Sequence, residues 1–117
     1  MVRRFSFAAV LFLYLSGNSI ANHLISTDGA VRWGTDLNWW GSYVIGDQWV
    51  SDVVGQVKRT GSTNWPVSVA ASWGGFYWEA YTPTTIQVGQ ASVRGKLYYE
   101  DPDGNPHVDI SDPIDNV

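Results

Sequence analysis

After Ala21, apolar stretches alternate with clusters of Ser, Thr, Gly, Asn, Asp and Pro at intervals of about ten residues. This spacing is typical of the strands and turns of a β-sandwich or barrel. No stretch in this part repeats apolar residues at i, i+3, i+4 and i+7 over three turns, as an amphipathic helix requires. The pattern therefore predicts an all-β domain.

The clearest local pattern is a hairpin between Trp65 and Thr82. Apolar or small residues alternate with polar ones on both sides of Gly74-Gly75, a pair suited to a two-residue turn. Such a turn fixes the register. It predicts three facing pairs: Trp73 with Phe76, Ala71 with Trp78, and Val69 with Ala80.

Further strands follow from the same alternation. They are predicted within residues 37–45, 49–59, 84–88, 93–99 and 107–110, with a strong turn signal over 101–106. The fold class predicted from these segments is a single antiparallel β-sandwich of about seven strands, immunoglobulin-like in the broad sense.

The N-terminal residues follow the basic, apolar, small-residue order of a secretory signal peptide. Arg3 and Arg4 precede an apolar run over residues 5–15, and the small residues Ser19 and Ala21 suit a cleavage site. The run is shorter than the roughly 20 residues that span a bilayer. We therefore predict a signal peptide over 1–21, the alternative being a buried N-terminal strand or helix. The rest of the chain is predicted to be a sandwich domain over 22–110, followed by an acidic flexible tail over 111–117. We expect this mature protein to be secreted or to lie at the cell surface.

Composition narrows the classes of function. The chain has no cysteine, so the core must stabilise the fold without disulfides, and all seven tryptophans lie after residue 21. That part carries five Lys or Arg side chains against eleven carboxylates. Such an acidic balance disfavours nucleic acid and anionic membrane surfaces as partners.

A short motif occurs twice, forty residues apart. Val53-x-Gly55-x-Val57 and Val93-x-Gly95-x-Leu97 are each followed by a glycine-bearing turn and a proline-led segment. The chain here resembles the opening of transthyretin-like, immunoglobulin-related modules, over about 17 residues at each place. The resemblance implies an extracellular β-sandwich and transfers no catalytic residue. The alternative is a pair of ordinary strand–turn–strand units.

Four residues are candidates for ligand binding. Tyr77, Glu79 and Tyr81 alternate along one strand and so share one face. Aromatic rings can cover the C–H face of a sugar while a carboxylate accepts hydrogen bonds from its hydroxyls. Trp40 should point outward because its neighbour Trp39 follows the core alternation. The alternatives are ordinary half-exposed strand tyrosines and a Trp40 covered by another segment.

One turn contains oxygen ligands of the kind that calcium prefers. Asp101, Asp103 and Asn105 lie close together, with Asp109 nearby. The spacing is not that of an EF-hand, because Gly104 falls at the fourth position and no glutamate closes a twelve-residue loop. The alternative is a plain Asp/Pro/Gly turn without a metal.

No catalytic constellation is recognisable. Cysteine is absent, and neither His23 nor His107 lies in a nucleophile or metal motif. The sequence favours a non-catalytic extracellular module that binds a glycan or another cell-surface ligand, without a cofactor other than the calcium considered above. The alternative is a structural subunit of an extracellular filament or surface layer, in which residues 22–33 add as a strand to a neighbouring sheet.

Overall fold

The computed structural model describes residues 23–117, so the predicted signal peptide lies outside the described residues. These residues form eight strands: β1 (Ile25–Trp33), β2 (Asp36–Tyr43), β3 (Trp49–Arg59), β4 (Val67–Ala70), β5 (Ser72–Gly74), β6 (Tyr77–Pro83), β7 (Ala91–Glu100) and β8 (Pro106–Ile110). Within residues 23–117 no helix has the length and apolar character needed to cross a membrane.

The strands form two four-stranded antiparallel sheets. The first sheet has the order β1-β2-β6-β5, and the second has the order β4-β3-β7-β8. The side chains of one face of each sheet are buried in a shared core. The all-β, two-layer prediction is therefore confirmed, with eight strands in place of about seven.

Two tryptophans of the first sheet fill the centre of the core. Trp39 in β2 and Trp78 in β6 are almost fully buried. Their rings lie over Gly55 and Gly95, where a Cβ atom would come within 2.5 Å of ring carbon Cζ2 in each case. The indole nitrogens donate to the backbone oxygens of Arg94 and Ser26, both at 3.0 Å. The core therefore depends on large rings that pack directly against the backbone of glycine residues.

The predicted hairpin register is wrong by two residues. Trp73 pairs with Trp78, and the turn residues are Gly75 and Phe76, which have φ angles of 58° and 72°. A shift of two residues leaves each side chain on its predicted face, so alternation alone cannot detect it. The segment before the turn also divides at Ala71, because β4 pairs with β3 in the second sheet whereas β5 pairs with β6 in the first.

Two other segments differ from their predicted structures, and a third is now placed in a sheet. Residues 84–88 form a loop, not a strand. The predicted flexible tail is hydrogen-bonded to β7: Ile114 exchanges backbone hydrogen bonds with Val93, and Val117 does so with Ala91. The extended segment proposed to join a neighbouring sheet is largely β1, which pairs with β2 of the same chain.

Candidate functional site

The candidate site lies on the outer face of the first sheet. In β6 the core positions Trp78 and Ala80 alternate with Tyr77, Glu79 and Tyr81, which therefore point away from the core. Trp40 of β2 lies opposite Glu79 on the same outer face. The structure thus places all four predicted ligand-binding residues on one face and brings three of them, Trp40, Tyr77 and Glu79, to one cleft.

The cleft has a volume of about 220 Å³ and opens beside the short edge strand β5. Its lining combines three indole rings and a phenol ring with a hydroxyl and a carboxylate, from Trp40, Trp73, Trp78, Tyr77, Ser72 and Glu79. Apolar walls with a few polar groups are typical of small-ligand sites. At this size the cleft is smaller than the roughly 300–1,000 Å³ of a typical ligand pocket, so it has room for one small chemical group.

Trp40 is covered more completely than an outward position suggests. Only 7% of its surface is exposed, because the indole ring lies against Gly29 of β1, where no side chain intervenes. Its Nε1–H is buried and has no hydrogen-bond partner within residues 23–117. Buried donors are normally paired, and this N–H lies on the side of the ring that faces Gly29.

Asp28 of β1 has a buried carboxylate oxygen. It occupies a bulge in β1, between residues that pair with β2. Oδ1 accepts a hydrogen bond from Ser26 Oγ at 2.8 Å, whereas Oδ2 is buried and has no partner among the described residues. Burial raises the pKa of Asp28 above its usual value, and hydrogen bonds from Ser26 and Ser42 partly offset this rise.

Glu79 is positioned by Asn38 of the neighbouring strand, and the surroundings of Tyr77 raise its pKa. Asn38 Nδ2 donates to Glu79 Oε2 at 3.3 Å and to the backbone oxygen of Ala80 at 2.8 Å. Burial and the nearby charge of Asp28 raise the pKa of Tyr77, so its hydroxyl stays protonated at neutral pH. The cleft therefore presents a carboxylate acceptor and a neutral phenol on a rigid strand.

Tyr81 lies on the same face but outside the cleft. Its hydroxyl donates to Asp36 Oδ1 at 2.7 Å, and 54% of its surface is exposed. The hydrogen bond to Asp36 raises the pKa of Tyr81. Trp33, directly opposite Asp36 in β1, is 76% exposed. Two exposed rings thus continue the face beyond the cleft.

A second, larger concavity lies at one end of the sandwich. It measures about 440 Å³ and is lined mainly by Tyr43, Ile45, Trp49, Val50, Trp73 and Phe76. Trp73 borders both concavities. The sequence analysis paired Trp73 with Phe76 across the predicted hairpin and did not single out Asp28. The Gly-Gly pair after Trp73 was the only available signal that this ring stands at a strand end, and a bulge at Asp28 has no reliable sequence signature.

The predicted calcium ligands form a self-capped turn. Asp101 accepts hydrogen bonds from the backbone N–H groups of Asp103 and Asn105, at 3.0 and 2.9 Å, and from His107 Nε2 at 2.9 Å. The bond to His107 contributes most to lowering the pKa of Asp101 to about 2. Within residues 23–117 no group of three or more His, Cys, Asp or Glu side chains is arranged to hold a metal ion. The carboxylate of Asp101 thus accepts hydrogen bonds from within the turn and from His107.

Comparison with protein-family models, with curated proteins and with solved structures finds no match to this chain. The functional argument consequently depends on the site's own chemistry.

Proposed function

We propose that this domain is a non-catalytic extracellular binding module of the immunoglobulin-like sandwich class, and that it takes a glycan or another hydroxyl-rich cell-surface ligand on the outer face of its first sheet. The observation that carries the proposal is the unpartnered Nε1–H of Trp40, buried beside a cleft that also contains Tyr77 and Glu79. A ligand oxygen would satisfy this donor.

The chemistry of the face supports a sugar over other small ligands. Flat rings can cover the apolar C–H surface of a pyranose, while its hydroxyls need both donors and acceptors. In the cleft Trp40 has an indole N–H donor, Ser72 has a hydroxyl, and Glu79 has carboxylate oxygens that accept hydrogen bonds. The exposed rings of Trp33 and Tyr81 would contact further units of a chain that extends past the cleft.

The proposal is tested by screening the purified protein against immobilised oligosaccharides, including cellohexaose and chitohexaose, followed by titration of each bound glycan. Tyr77→Ala and Glu79→Gln should each weaken binding about tenfold or more, equivalent to a loss of roughly 1.4 kcal/mol. Tyr81→Ala should have a smaller effect on a short glycan, because its ring lies outside the cleft.

Tyr98→Ala is the matched control. Tyr98 is a half-buried tyrosine on the outer face of the second sheet, stacked near Lys96, and it lies far from the cleft in the fold. Its removal should leave glycan affinity unchanged. Absence of any glycan binding, or equal loss in the Tyr77 and Tyr98 variants, would contradict the proposal.

A further inference from the structure

Three cations form a row on the outer face of the second sheet. Lys58 of β3 and Arg94 and Lys96 of β7 occupy positions that alternate with the buried core residues of their strands. Lys58 lies opposite Ser92, and the other two follow at the next two outward positions of β7. Alternate residues of a strand are about 7 Å apart, so this cationic row extends over roughly 14 Å.

Arg94, the central residue of the cationic row, is oriented by its neighbours. Its Nε donates to Gln56 Oε1 at 2.8 Å, and Gln56 Nε2 donates to Ser68 Oγ at 3.1 Å. Gln56 is buried, and the guanidinium carbon lies 4.0 Å from the centroid of the Trp65 ring. Within residues 23–117 the two Nη atoms have no hydrogen-bond partner. An arginine ordered in this way can bind a carboxylate through two parallel hydrogen bonds.

The flanking lysines make contacts that leave their charges unpaired. Lys58 Nζ donates to the backbone oxygen of Ser62 at 2.5 Å and lies 4.8 Å from the centroid of the Trp65 ring. Lys96 Nζ lies 5.3 Å from the centroid of the Tyr98 ring. The ion pairs within residues 23–117 are formed by histidines, so no residue of the cationic row has an acidic partner there.

Carboxylates limit the cationic row at both ends. Asp52 and Glu100 lie on the same face beyond Lys96. At the other end, Asp115 accepts a hydrogen bond from Ser92 Oγ at 2.6 Å. A long chain of uniform negative charge, such as a nucleic acid or a sulfated polysaccharide, would meet these carboxylates past either end. Charge complementarity therefore favours a short anionic segment of about three charges.

An extended polypeptide matches the spacing of the cationic row. Successive side chains of an extended chain point to opposite sides, and those on one side are about 7 Å apart. Carboxylates at three alternate positions would therefore meet the three cations at corresponding levels. The central carboxylate would lie opposite the guanidinium of Arg94, where a planar partner is favoured.

We propose that the cationic row, formed by Lys58, Arg94 and Lys96, binds an extended acidic segment of a partner protein that has Asp or Glu at alternate positions. The central carboxylate binds the two Nη atoms of Arg94, and the flanking carboxylates pair with the lysines. The cationic row lies on the second sheet, whereas the cleft lies on the first. This interaction is consequently independent of glycan binding.

Titration with two synthetic peptides of equal charge tests the proposal. The probe, acetyl-GEGEGEG-amide, has three glutamates at alternate positions, and the comparison peptide, acetyl-GGEEEGG-amide, has them in succession. In an extended conformation the comparison peptide turns its central carboxylate away from Arg94. In ¹H–¹⁵N spectra recorded in about 20 mM NaCl, the probe should move the indole cross-peak of Trp65, and about 500 mM NaCl should abolish the shift. The probe should bind about tenfold more tightly than the comparison peptide.

Two variants that keep the charge of the row test the role of Arg94. Arg94→Lys removes the planar fork, and Gln56→Leu removes the hydrogen bond that orients the guanidinium. Each should weaken binding of the probe by about tenfold. Arg59→Gln is the control, because it removes a cation outside the row and should bind the probe like wild type. Circular dichroism establishes that each variant is folded.

Three results would overturn the proposal. The first is a probe that leaves the Trp65 cross-peak unmoved in low salt. The second is equal affinity for the two peptides, or equal affinity of wild type and Arg94→Lys for the probe, because general charge attraction would then account for the binding. The third is dextran sulfate that binds more tightly per charge than the probe in an Arg94-dependent manner, which would make an anionic polysaccharide the ligand of the row.

Discussion

Gly55 of β3 and Gly95 of β7 lie directly opposite each other in the register of the second sheet, and each faces a tryptophan ring of the first sheet. These are the central residues of the repeated Val-x-Gly-x motif. The motif therefore has a packing explanation: its valines and leucine fill the core, while its glycine leaves room for Trp39 or Trp78.

Gly95→Ala should destabilise the domain by about 1–3 kcal/mol, the usual cost of overpacking a core. The new methyl group would lie 2.5 Å from Cζ2 of Trp78, a ring that has no room to move between the sheets. Urea unfolding followed by tryptophan fluorescence measures the change. Trp78→Phe should recover part of the loss in the double variant, because the smaller ring removes the clash.

Gly34→Asn is the control for this measurement. Gly34 has a φ of 58°, which asparagine tolerates, and a Cβ there meets no atom within 4 Å. The variant should stay within about 0.5 kcal/mol of wild type. A Gly95→Ala protein as stable as the Gly34 variant would contradict the packing account.

The position of the hairpin turn can be tested at Phe76. In the structure its φ is 72°, a conformation that β-branched residues strongly avoid and asparagine accepts. Phe76→Val should therefore be less stable than Phe76→Asn by about 1–2 kcal/mol. Both variants remove the ring, so their difference in unfolding free energy isolates the backbone effect.

The register predicted from the sequence would make the Phe76→Val variant the more stable of the two. With the turn at Gly74-Gly75, residue 76 would be the first residue of a strand, where valine is favoured over asparagine. A more stable valine variant would show that the turn lies there.

The turn at Asp101 should make the stability of the domain depend on pH. The hydrogen bond from His107 lowers the pKa of Asp101 to about 2, below the value of roughly 3.9 for an unfolded chain. A group with a depressed folded pKa contributes stability above its unfolded pKa and loses it as the pH falls through its folded pKa. Asp101→Asn should therefore melt below wild type at pH 5–7, and the difference in Tm should vanish between about pH 4 and pH 2.

Asp103→Asn controls for the loss of one charge in the same turn, because only the backbone N–H of Asp103 donates to Asp101. Its Tm should follow that of wild type across the pH range. A difference between wild type and Asp101→Asn that stays constant with pH would show that the ionised carboxylate is not what stabilises the turn.

The C-terminal residues should contribute to stability. Removal of residues 112–117 deletes the backbone hydrogen bonds that join Ile114 and Val117 to β7, and it exposes core surface that Ile114 covers. With about 1 kcal/mol for each hydrogen bond, the loss should exceed roughly 2 kcal/mol. Thermal melts of the truncated and intact proteins measure it, and equal Tm values would mean that these residues are dispensable.

The success and failure of the sequence analysis have physical causes. Alternation identified β2, β3, β6 and β7 because one face of each strand is buried, and burial is what hydrophobic patterning reports. Alternation could not predict the hairpin register, because a shift of two residues keeps every side chain on the same face of the strand. Alternation also could not predict the role of residues 111–117. Their pairing with β7 is made by backbone groups, and the polarity of the side chains does not report backbone hydrogen bonds.

The candidate site was predictable in part for the same reason. Alternation assigns Tyr77, Glu79 and Trp40 to outward positions, and the sheet order then brings them together. The free hydrogen-bonding atoms of Trp40 and Asp28 were not predictable, since they depend on a bulge and on the close approach of Gly29.

The most direct test of the binding account is the ¹H–¹⁵N spectrum of the tryptophan indoles during titration with the glycan selected by the screen. The free Nε1–H of Trp40 should gain a partner, so its cross-peak should move most. The cross-peaks of Trp39 and Trp78 should stay in place, because their N–H groups already donate to the backbone. A Trp40 cross-peak that does not move at saturating glycan, or shifts confined to Trp65 on the opposite sheet, would contradict the account.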